Sequence, residues 1–229
     1  MFILNWFIRK KDILINIAII FRDMGYNKRL TATETIIMAN IAVFILVFLG
    51  VGLFSESIFK YVALQPAAIW QGQMLWTLVT SMFMHGSFFH LFVNMFSLFF
   101  LGSFLEVLVG KKRYLTIYFI GGLLGSVFFT LSPLFADNWT IMAVGASGAI
   151  FALGGALAVL TPHLPVFIML IPIPIPMYIA IFMLFIVLSF FPNIANSGHF
   201  GGLVAGLLLG FYYKKAVQRR QRLLMRRMF

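Results

Sequence analysis

The chain contains one serine and one histidine that could act together within an otherwise apolar sequence. Ser147 lies in a cluster of small residues at 145–148, and His199 lies in a second such cluster at 197–202. A serine hydroxyl beside a neutral imidazole is the minimum needed for nucleophilic acyl transfer. Polar and ionisable side chains are costly inside a bilayer, so in a membrane segment they indicate a functional site. The two clusters therefore predict a nucleophile and a general base.

Composition indicates that this pair lies in a membrane protein. Of the 229 residues, 62% are hydrophobic and only 10% are charged, which is far from the balance of a soluble domain. The length accommodates about six spans of roughly 20 residues each. The chain has no cysteine, which excludes disulfides, thiolate nucleophiles and thiolate metal sites. The predicted fold class is an all-α polytopic membrane protein.

Hydrophobic runs separated by polar breaks predict where the spans lie. The net charge of +11 indicates membrane topology rather than nucleic-acid binding, and no nucleic-acid partner is expected. With a cytoplasmic amino terminus, every lysine and arginine except Lys60 lies on the inner side, so both termini are expected in the cytoplasm. We expect a multi-pass protein of a bacterial cell membrane. The predicted spans are residues 34–54, 81–106, 114–132, 146–161, 177–191 and 197–213.

The remaining segments predict three regions. Residues 1–33 form a cytoplasmic amphipathic segment that contacts membrane lipids, residues 34–213 form the six-span domain, and residues 214–229 form a basic cytoplasmic tail. Between the fourth and fifth spans, five prolines exclude a helix interior, so this segment is expected to run extended along the inner interface. These prolines are Pro162, Pro165, Pro172, Pro174 and Pro176.

Four polar residues are expected at one depth in the outer half of the membrane. Ser147 and His199 each lie 15 residues before the inner end of their span, or about 22 Å at the helical rise. His90 and Asn94 lie four residues apart, so they share one face of the second span. A serine flanked by glycine and alanine is, taken alone, more often a packing motif. Four polar groups at one depth on three parallel spans favour the functional interpretation.

The same residues predict an anion-stabilising site next to the serine. Ser147 begins a helix, so its backbone N–H has no partner within that helix. His90 and Asn94 can donate side-chain hydrogen bonds to the same point. No carboxylate is expected at this depth, since Glu106 is interpreted as a structural anchor near the inner face, and a dyad is therefore expected. His85 is interpreted as a residue that orders the outer loop.

These motifs resemble those of the rhomboid family of intramembrane serine proteases, in its six-span prokaryotic form. The resemblance covers about residues 34–213 and rests on residues 76–85, His90-Leu91-Phe92-Val93-Asn94, Gly145-Ala146-Ser147-Gly148 and Gly198-His199-Phe200-Gly201-Gly202, in family order. One position departs from the pattern, because Trp76-Thr77 stands where the family commonly has Trp-Arg.

The resemblance implies a six-transmembrane-helix rhomboid-like bundle. Ser147 is then the nucleophile, His199 is the general base, and His90, Asn94 and the Ser147 N–H form the oxyanion hole. It also implies cleavage of single-span transmembrane proteins near their outer end, without metal, ATP or another cofactor. Three alternatives are a catalytically silent rhomboid-like protein that binds membrane clients, a metal or haem carrier that uses His90 and His199, and a transporter.

Overall fold

The structure is a computed structural model that describes residues 30–53, 57–136, 138–168, 171–191 and 195–228. The predicted amphipathic segment at 1–33 lies outside the described residues except for its last four. In chain order the helices are α1 (Ala32–Leu53), α2 (Ser57–Val62), α3 (Pro66–Trp70), α4 (Thr77–Thr80), α5 (Phe88–Ser97), α6 (Ser103–Val109), α7 (Lys111–Leu131), α8 (Pro133–Ala136), α9 (Ser147–Leu160), α10 (Met177–Ser189) and α11 (Asn196–Met228).

The helices confirm the predicted fold class of an all-α polytopic membrane bundle. A π-helical turn, Leu98–Gly102, joins α5 to α6, so that Phe88–Val109 forms one helical run. This run, Ala32–Val51 and Lys111–Phe135 are long and apolar enough to cross a membrane. Two further apolar helices, α9 and α10, are shorter, with 14 and 13 residues.

Two predicted boundaries differ from the structure. The second span was expected to begin at residue 81, but residues Ser81–Phe83 form a 3₁₀ turn and α5 begins at Phe88. The reason is local, since the Ser87 hydroxyl accepts the His90 N–H at 3.1 Å and caps the helix there. The sixth span was expected to end at residue 213, whereas α11 continues as one helix to Met228.

Direct backbone contact joins α9 to α11. A Cβ added to Gly202 would overlap the carbonyl of Gly148, and one added to Gly206 would overlap the carbonyl of Ala152. One turn forward along α11, from Gly202 to Gly206, moves the contact one turn forward along α9, from Gly148 to Ala152, so the two helices run parallel. Small residues allow this approach in a membrane, where close packing and hydrogen bonds hold helices together.

One end of the bundle, which we call the basic end, contains Lys111, Lys112, Arg113, Lys214 and Lys215. Arg220 of α11 donates hydrogen bonds to the carbonyls of Val107, at 3.0 Å, and Leu108, at 3.4 Å, at the end of α6. A cation satisfies these carbonyls well, because the end of a helix leaves them unpaired and partly negative. This contact ties α11 to α6 beyond its predicted span.

The first turn of α1 depends on a carboxylate from another helix. Glu106 Oε1 accepts the Ala32 N–H at 2.9 Å, and Oε2 accepts both the N–H and the hydroxyl of Thr33 at 2.8 Å. A negative charge at a helix N-terminus satisfies unpaired N–H groups and opposes the positive end of the helix dipole. Glu106 thus joins α6 to α1, which gives the predicted anchor a defined partner.

A β-hairpin connects α9 to α10. Its strands, β1 (Pro165–Ile168) and β2 (Ile171–Pro176), pair antiparallel with Pro165 opposite Pro176, Val166 opposite Ile175 and Ile168 opposite Ile171. The segment is therefore extended, as its prolines predict, and its two halves pair with each other.

Replacing Glu106 with alanine is expected to lower the free energy of unfolding by about 1–3 kcal/mol, because buried backbone donors lose their acceptor. Thermal denaturation in detergent micelles measures the change. The matched control is Glu34→Ala, since among the described residues the exposed Glu34 carboxylate accepts only the Thr31 N–H, at 2.8 Å, just before its own helix. Equal losses for the two variants would contradict the assigned role of Glu106.

Candidate active site

The structure brings Ser147 and His199 into hydrogen-bond contact. Ser147 is the first residue of α9, and His199 lies in the first turn of α11. The Ser147 Oγ and His199 Nε2 atoms are 2.8 Å apart. The imidazole is buried, with 6% of its surface exposed. An Oγ–Nε2 contact of this length is the geometry in which a neutral imidazole can accept a hydroxyl proton.

An aromatic ring supports the His199 imidazole. The ring of Phe151, one turn along α9 from Ser147, lies 4.6 Å from the imidazole, with 32° between the planes. The His199 Nδ1 atom is buried and has no hydrogen-bond partner among the described residues. Within those residues no carboxylate orients the imidazole, and the ring of this Ser–His pair is positioned by packing.

Backbone bonds hold the segment that leads into Ser147. The N–H of Gly145 donates to the Ser81 carbonyl at 2.9 Å, and Gly145 has a positive φ of 123°. Leu64 and Ala143 exchange two backbone hydrogen bonds, each 2.9 Å long. Because glycine adopts this φ without steric cost, the chain can turn sharply just before α9.

His85 contacts the same segment, which agrees with its interpretation as an ordering residue. The Ala146 N–H points at His85 Nε2 over 3.5 Å, and the His85 and His90 rings meet edge to face at 5.1 Å. Burial, and to a smaller extent the neighbouring His90, lowers the pKa of His85 from 6.5 to about 3. His85 therefore stays neutral near pH 7, and its Nε2 can accept the Ala146 proton.

His90 and Asn94 lie on one face of α5, but their contacts differ. A Cβ added to Gly145 would lie 2.8 Å from the Nε2 atom of His90 and 3.8 Å from the Ser147 hydroxyl, so the three groups converge at this point. The buried Asn94 amide instead donates to the His90 carbonyl within its own helix, at 2.9 Å. The structure therefore brings His90 to the site, whereas the Asn94 amide is engaged elsewhere.

An open cavity lies next to Ser147 and His199. It offers about 40 Å³ to water-sized molecules, more than the roughly 10–15 Å³ that one water needs. Two further hydroxyl-bearing residues, Ser81 and Ser126, are among those that line it. Neither stands out in the sequence, because each lies in an ordinary apolar stretch, and only the fold brings them to the cavity. The site can therefore hold water beside the Ser147 hydroxyl.

The segment before α5 is fixed at the position that departs from the pattern of the family that the sequence resembles. Thr77 is fully buried, and its hydroxyl donates to the Met74 carbonyl at 2.7 Å. The indole of Trp76 donates to a carbonyl of α2 at 2.9 Å, and the indole of Trp70 donates to the Thr130 carbonyl at 2.8 Å. Threonine thus makes a local bond where the family commonly has arginine, and the tryptophans secure the segment.

Comparison with known proteins identifies the family. The family model described as the Rhomboid domain matches residues 72–216, which is more than half of the chain and includes Ser147 and His199. The chain belongs to the rhomboid family. It is thus a multi-pass integral membrane protein of this family, as its motifs and apolar helices predict.

Similar rhomboid proteins differ in what their names say of activity. The chain is 37% identical to RHOMBOID-like protein 5 of Arabidopsis thaliana over 66% of its own length and 48% of that protein. It is 34% identical to Inactive RHOMBOID-like protein 8 of the same plant, over 60% and 38% of the two chains. It is 33% identical to Rhomboid protease GluP of Bacillus subtilis, over 79% and 34%. This rhomboid spans half or less of the length of each relative.

Gly145→Ala is expected to slow the reaction of Ser147 with a fluorophosphonate probe by about 100-fold, a loss typical of small misplacements in a reactive site. The added Cβ would press on the His90 ring and strain the backbone before Ser147. Gly72→Ala is the matched control, because Gly72 also has a positive φ, of 71°, but nothing lies within 4 Å of its Cβ position. Similar labelling of both variants would show that the contact with His90 does not matter.

His85 is expected to make stability depend on pH. Below about pH 6.5 the unfolded chain binds a proton at this residue, while the folded protein does not until about pH 3. The stability that neutral His85 contributes is therefore present above pH 6.5 and lost as the pH falls toward 3. Between pH 7 and 4.5, the apparent Tm of the wild type should fall further than that of His85→Gln. Parallel curves for the two proteins would contradict this assignment.

Proposed function

We propose that this rhomboid is an intramembrane serine endopeptidase that uses Ser147 and His199 as a catalytic dyad. The observation that carries the proposal is the 2.8 Å contact between Ser147 Oγ and His199 Nε2 beside a cavity with space for water. An inactive relative needs neither a paired hydroxyl and imidazole nor access for water. The name of Rhomboid protease GluP is consistent with the same activity.

The proposed reaction has two steps. Ser147 Oγ attacks a peptide carbonyl carbon while His199 Nε2 takes its proton, and the same nitrogen then gives that proton to the departing amine. This leaves an acyl ester on Ser147 Oγ. A water molecule from the cavity then attacks the ester, His199 accepts its proton, and the proton returns to Ser147 Oγ as the carboxylic acid leaves.

The anion formed in each step needs hydrogen-bond donors. The Ser147 N–H is suited to this role, because it begins α9 while the Gly145 and Ala146 N–H groups before it are held by Ser81 and His85. His90 is the second proposed donor, since its ring lies at the point where Gly145 and Ser147 converge. Asn94 is the third, and its amide would have to leave the His90 carbonyl to take part.

The depth of the dyad supports single-span transmembrane proteins as substrates. Ser147 lies at the end of α9 away from the basic end, and 14 residues of helix place it about 20 Å from there. With both termini in the cytoplasm of a bacterial cell, as the positive charges favour, this is the outer half of a hydrocarbon layer about 30 Å thick. A substrate helix must unwind there before its carbonyls can be attacked.

The strongest alternative is a catalytically silent rhomboid-like protein that binds membrane clients, which the similarity to an inactive relative favours. Such a protein would keep the bundle and lose the use of the dyad. A metal or haem carrier is less well supported, since within the described ranges no three His, Asp or Glu side chains group closely enough to hold a metal ion. Cleavage of a reconstituted substrate separates these functions.

Ser147→Ala and His199→Ala are each expected to reduce cleavage of single-span substrates to background. The double variant should lose little more, because residues that act as one chemical unit are not additive. The measurement is product formation in liposomes over a panel of substrates, with the apparent Tm as a check on folding. Ser189→Ala is the hydroxyl-loss control, since within the described ranges its exposed hydroxyl bonds only to the Phe185 carbonyl of its own helix.

Wild-type turnover by Ser147→Ala would remove Ser147 as the nucleophile. If no substrate is cleaved, but wild type and Ser147→Ala capture the same client equally, the silent alternative is correct.

The proposed anion donors are tested in the same assay. His90→Ala should slow cleavage by about 100-fold or more, and Asn94→Ala should slow it less. Unchanged rates in both would exclude these residues from the mechanism.

A further inference from the structure

The β1–β2 hairpin has an unusual composition for a connection on the inner side of a membrane protein. No Asp, Glu, Lys or Arg occurs anywhere in residues 138–213, and the hairpin lies within this stretch. Inner connections of membrane proteins ordinarily carry positive charge. The hairpin follows α9, whose last turn packs against Gly210 of α11, four residues before Lys214. It therefore leaves the bundle at the basic end.

One end of the hairpin packs on the bundle, and the rest projects from it. Leu164 and Val166 pack against the core, and the Met177 N–H closes the base by donating to the Leu164 carbonyl at 2.9 Å. Farther out, Ile173 is 66% exposed, and its neighbour Pro174 is exposed on the opposite face of the strand. A two-stranded hairpin is marginally stable at best in water, and exposing apolar side chains on both faces to water is unfavourable.

The β2 strand is poor in hydrogen-bond donors. Pro165 and Pro176 oppose each other and have no N–H, so they form a non-hydrogen-bonded pair. The next pair, Val166 and Ile175, is then a hydrogen-bonded pair, which turns the Ile175 N–H toward β1, and the register shifts beyond it, between Val166 and Ile168. Three of the six residues of β2 have no N–H at all: Pro172, Pro174 and Pro176. The strand is therefore rich in free carbonyl groups and poor in donors.

This shortage of donors restricts what can cover the hairpin. A further strand needs both donors and acceptors to extend the ladder, so pairing with a strand of another protein is disfavoured at β2. The hydrocarbon core is also unsuitable, because the free carbonyls need hydrogen-bond donors. The headgroup layer of the bilayer meets both needs. Its water can donate hydrogen bonds to the carbonyls, and the lipid chains beneath it can contact Ile173 and Pro174.

We propose that the β1–β2 hairpin docks into the interfacial layer of the lipid bilayer at the basic end of the bundle, with Ile173 and Pro174 against lipid. The partner is the phospholipid bilayer itself. The exposed apolar side chains of the hairpin are continuous with the lipid-facing side of α10, where Ile179 is 39% exposed. The docked hairpin fixes the inner end of α10 at a constant depth. This inference does not depend on the proposed protease activity.

The absence of cysteine makes a direct test possible. A polarity-sensitive fluorophore is attached to Ile173→Cys in protein reconstituted into phosphatidylcholine and phosphatidylglycerol vesicles. Two references bracket the result: Phe182→Cys on the exposed side of α10 reports lipid, and Arg222→Cys, about 12 Å beyond Lys214 along α11, reports water. Quenching is measured with brominated lipid chains and with iodide on both sides of the membrane.

The proposal expects the label at residue 173 to be quenched by brominated lipid at least half as strongly as at residue 182, and several-fold less by iodide than at residue 222. Quenching by iodide equal to that at residue 222 would show a hairpin in water and overturn the proposal. Protection from both quenchers would show that protein, such as a second copy of the chain, covers the hairpin, and would overturn it equally. The substituted side chain is exposed, so the variant is expected to fold.

Discussion

The site depends on backbone contact between α9 and α11. Serine and histidine side chains are short, so Oγ and Nε2 reach 2.8 Å only when the two helices pack closely. Gly202 and Gly206 permit this, because a Cβ at either position would overlap a carbonyl of α9. In a bilayer, lipid is as apolar as leucine, and close packing has to supply the attraction that the hydrophobic effect supplies in water. The same glycines therefore hold the bundle together and set the spacing between Ser147 and His199.

Much of this arrangement can be predicted from the sequence, because it follows from local properties. Apolar runs predict the membrane helices, and the fold class is confirmed. The alternation of isoleucine and proline before α10 predicts extended backbone, because proline cannot continue inside a helix. The small-residue positions flanking Ser147 and His199 predict close helices. The assignment of catalytic roles to these residues stays a prediction until cleavage is measured.

Other features depend on contacts between distant segments and could not be predicted. Glu106 caps α1 across 74 positions of sequence, and no local pattern pairs a carboxylate with a particular helix start. The interaction of His85 with the Ala146 N–H spans 61 positions in the same way. Two local features also differ from the sequence-based expectation. The start of α5 at Phe88 is not evident because residues 81–84 are as apolar as a span, and only the cap at Ser87 shows where the helix begins. The engagement of the Asn94 amide with its own helix likewise follows from a rotamer rather than from spacing.

The two ends of the bundle are held by different kinds of bond. At the basic end, Glu106 and Arg220 make charge-assisted hydrogen bonds, which are about twice as strong as neutral ones. At the site end, the His199 ring is held by the Phe151 ring and by one hydrogen bond, to Ser147, within the described part of the chain. The Phe185 ring of α10 also packs on Phe151, at 5.9 Å. Phe185 also packs on Phe200, the residue after His199, at 6.2 Å. Movement of α10 at the site end would therefore reach the imidazole through aromatic rings, while charged side chains hold α1, α6 and α11 together at the basic end.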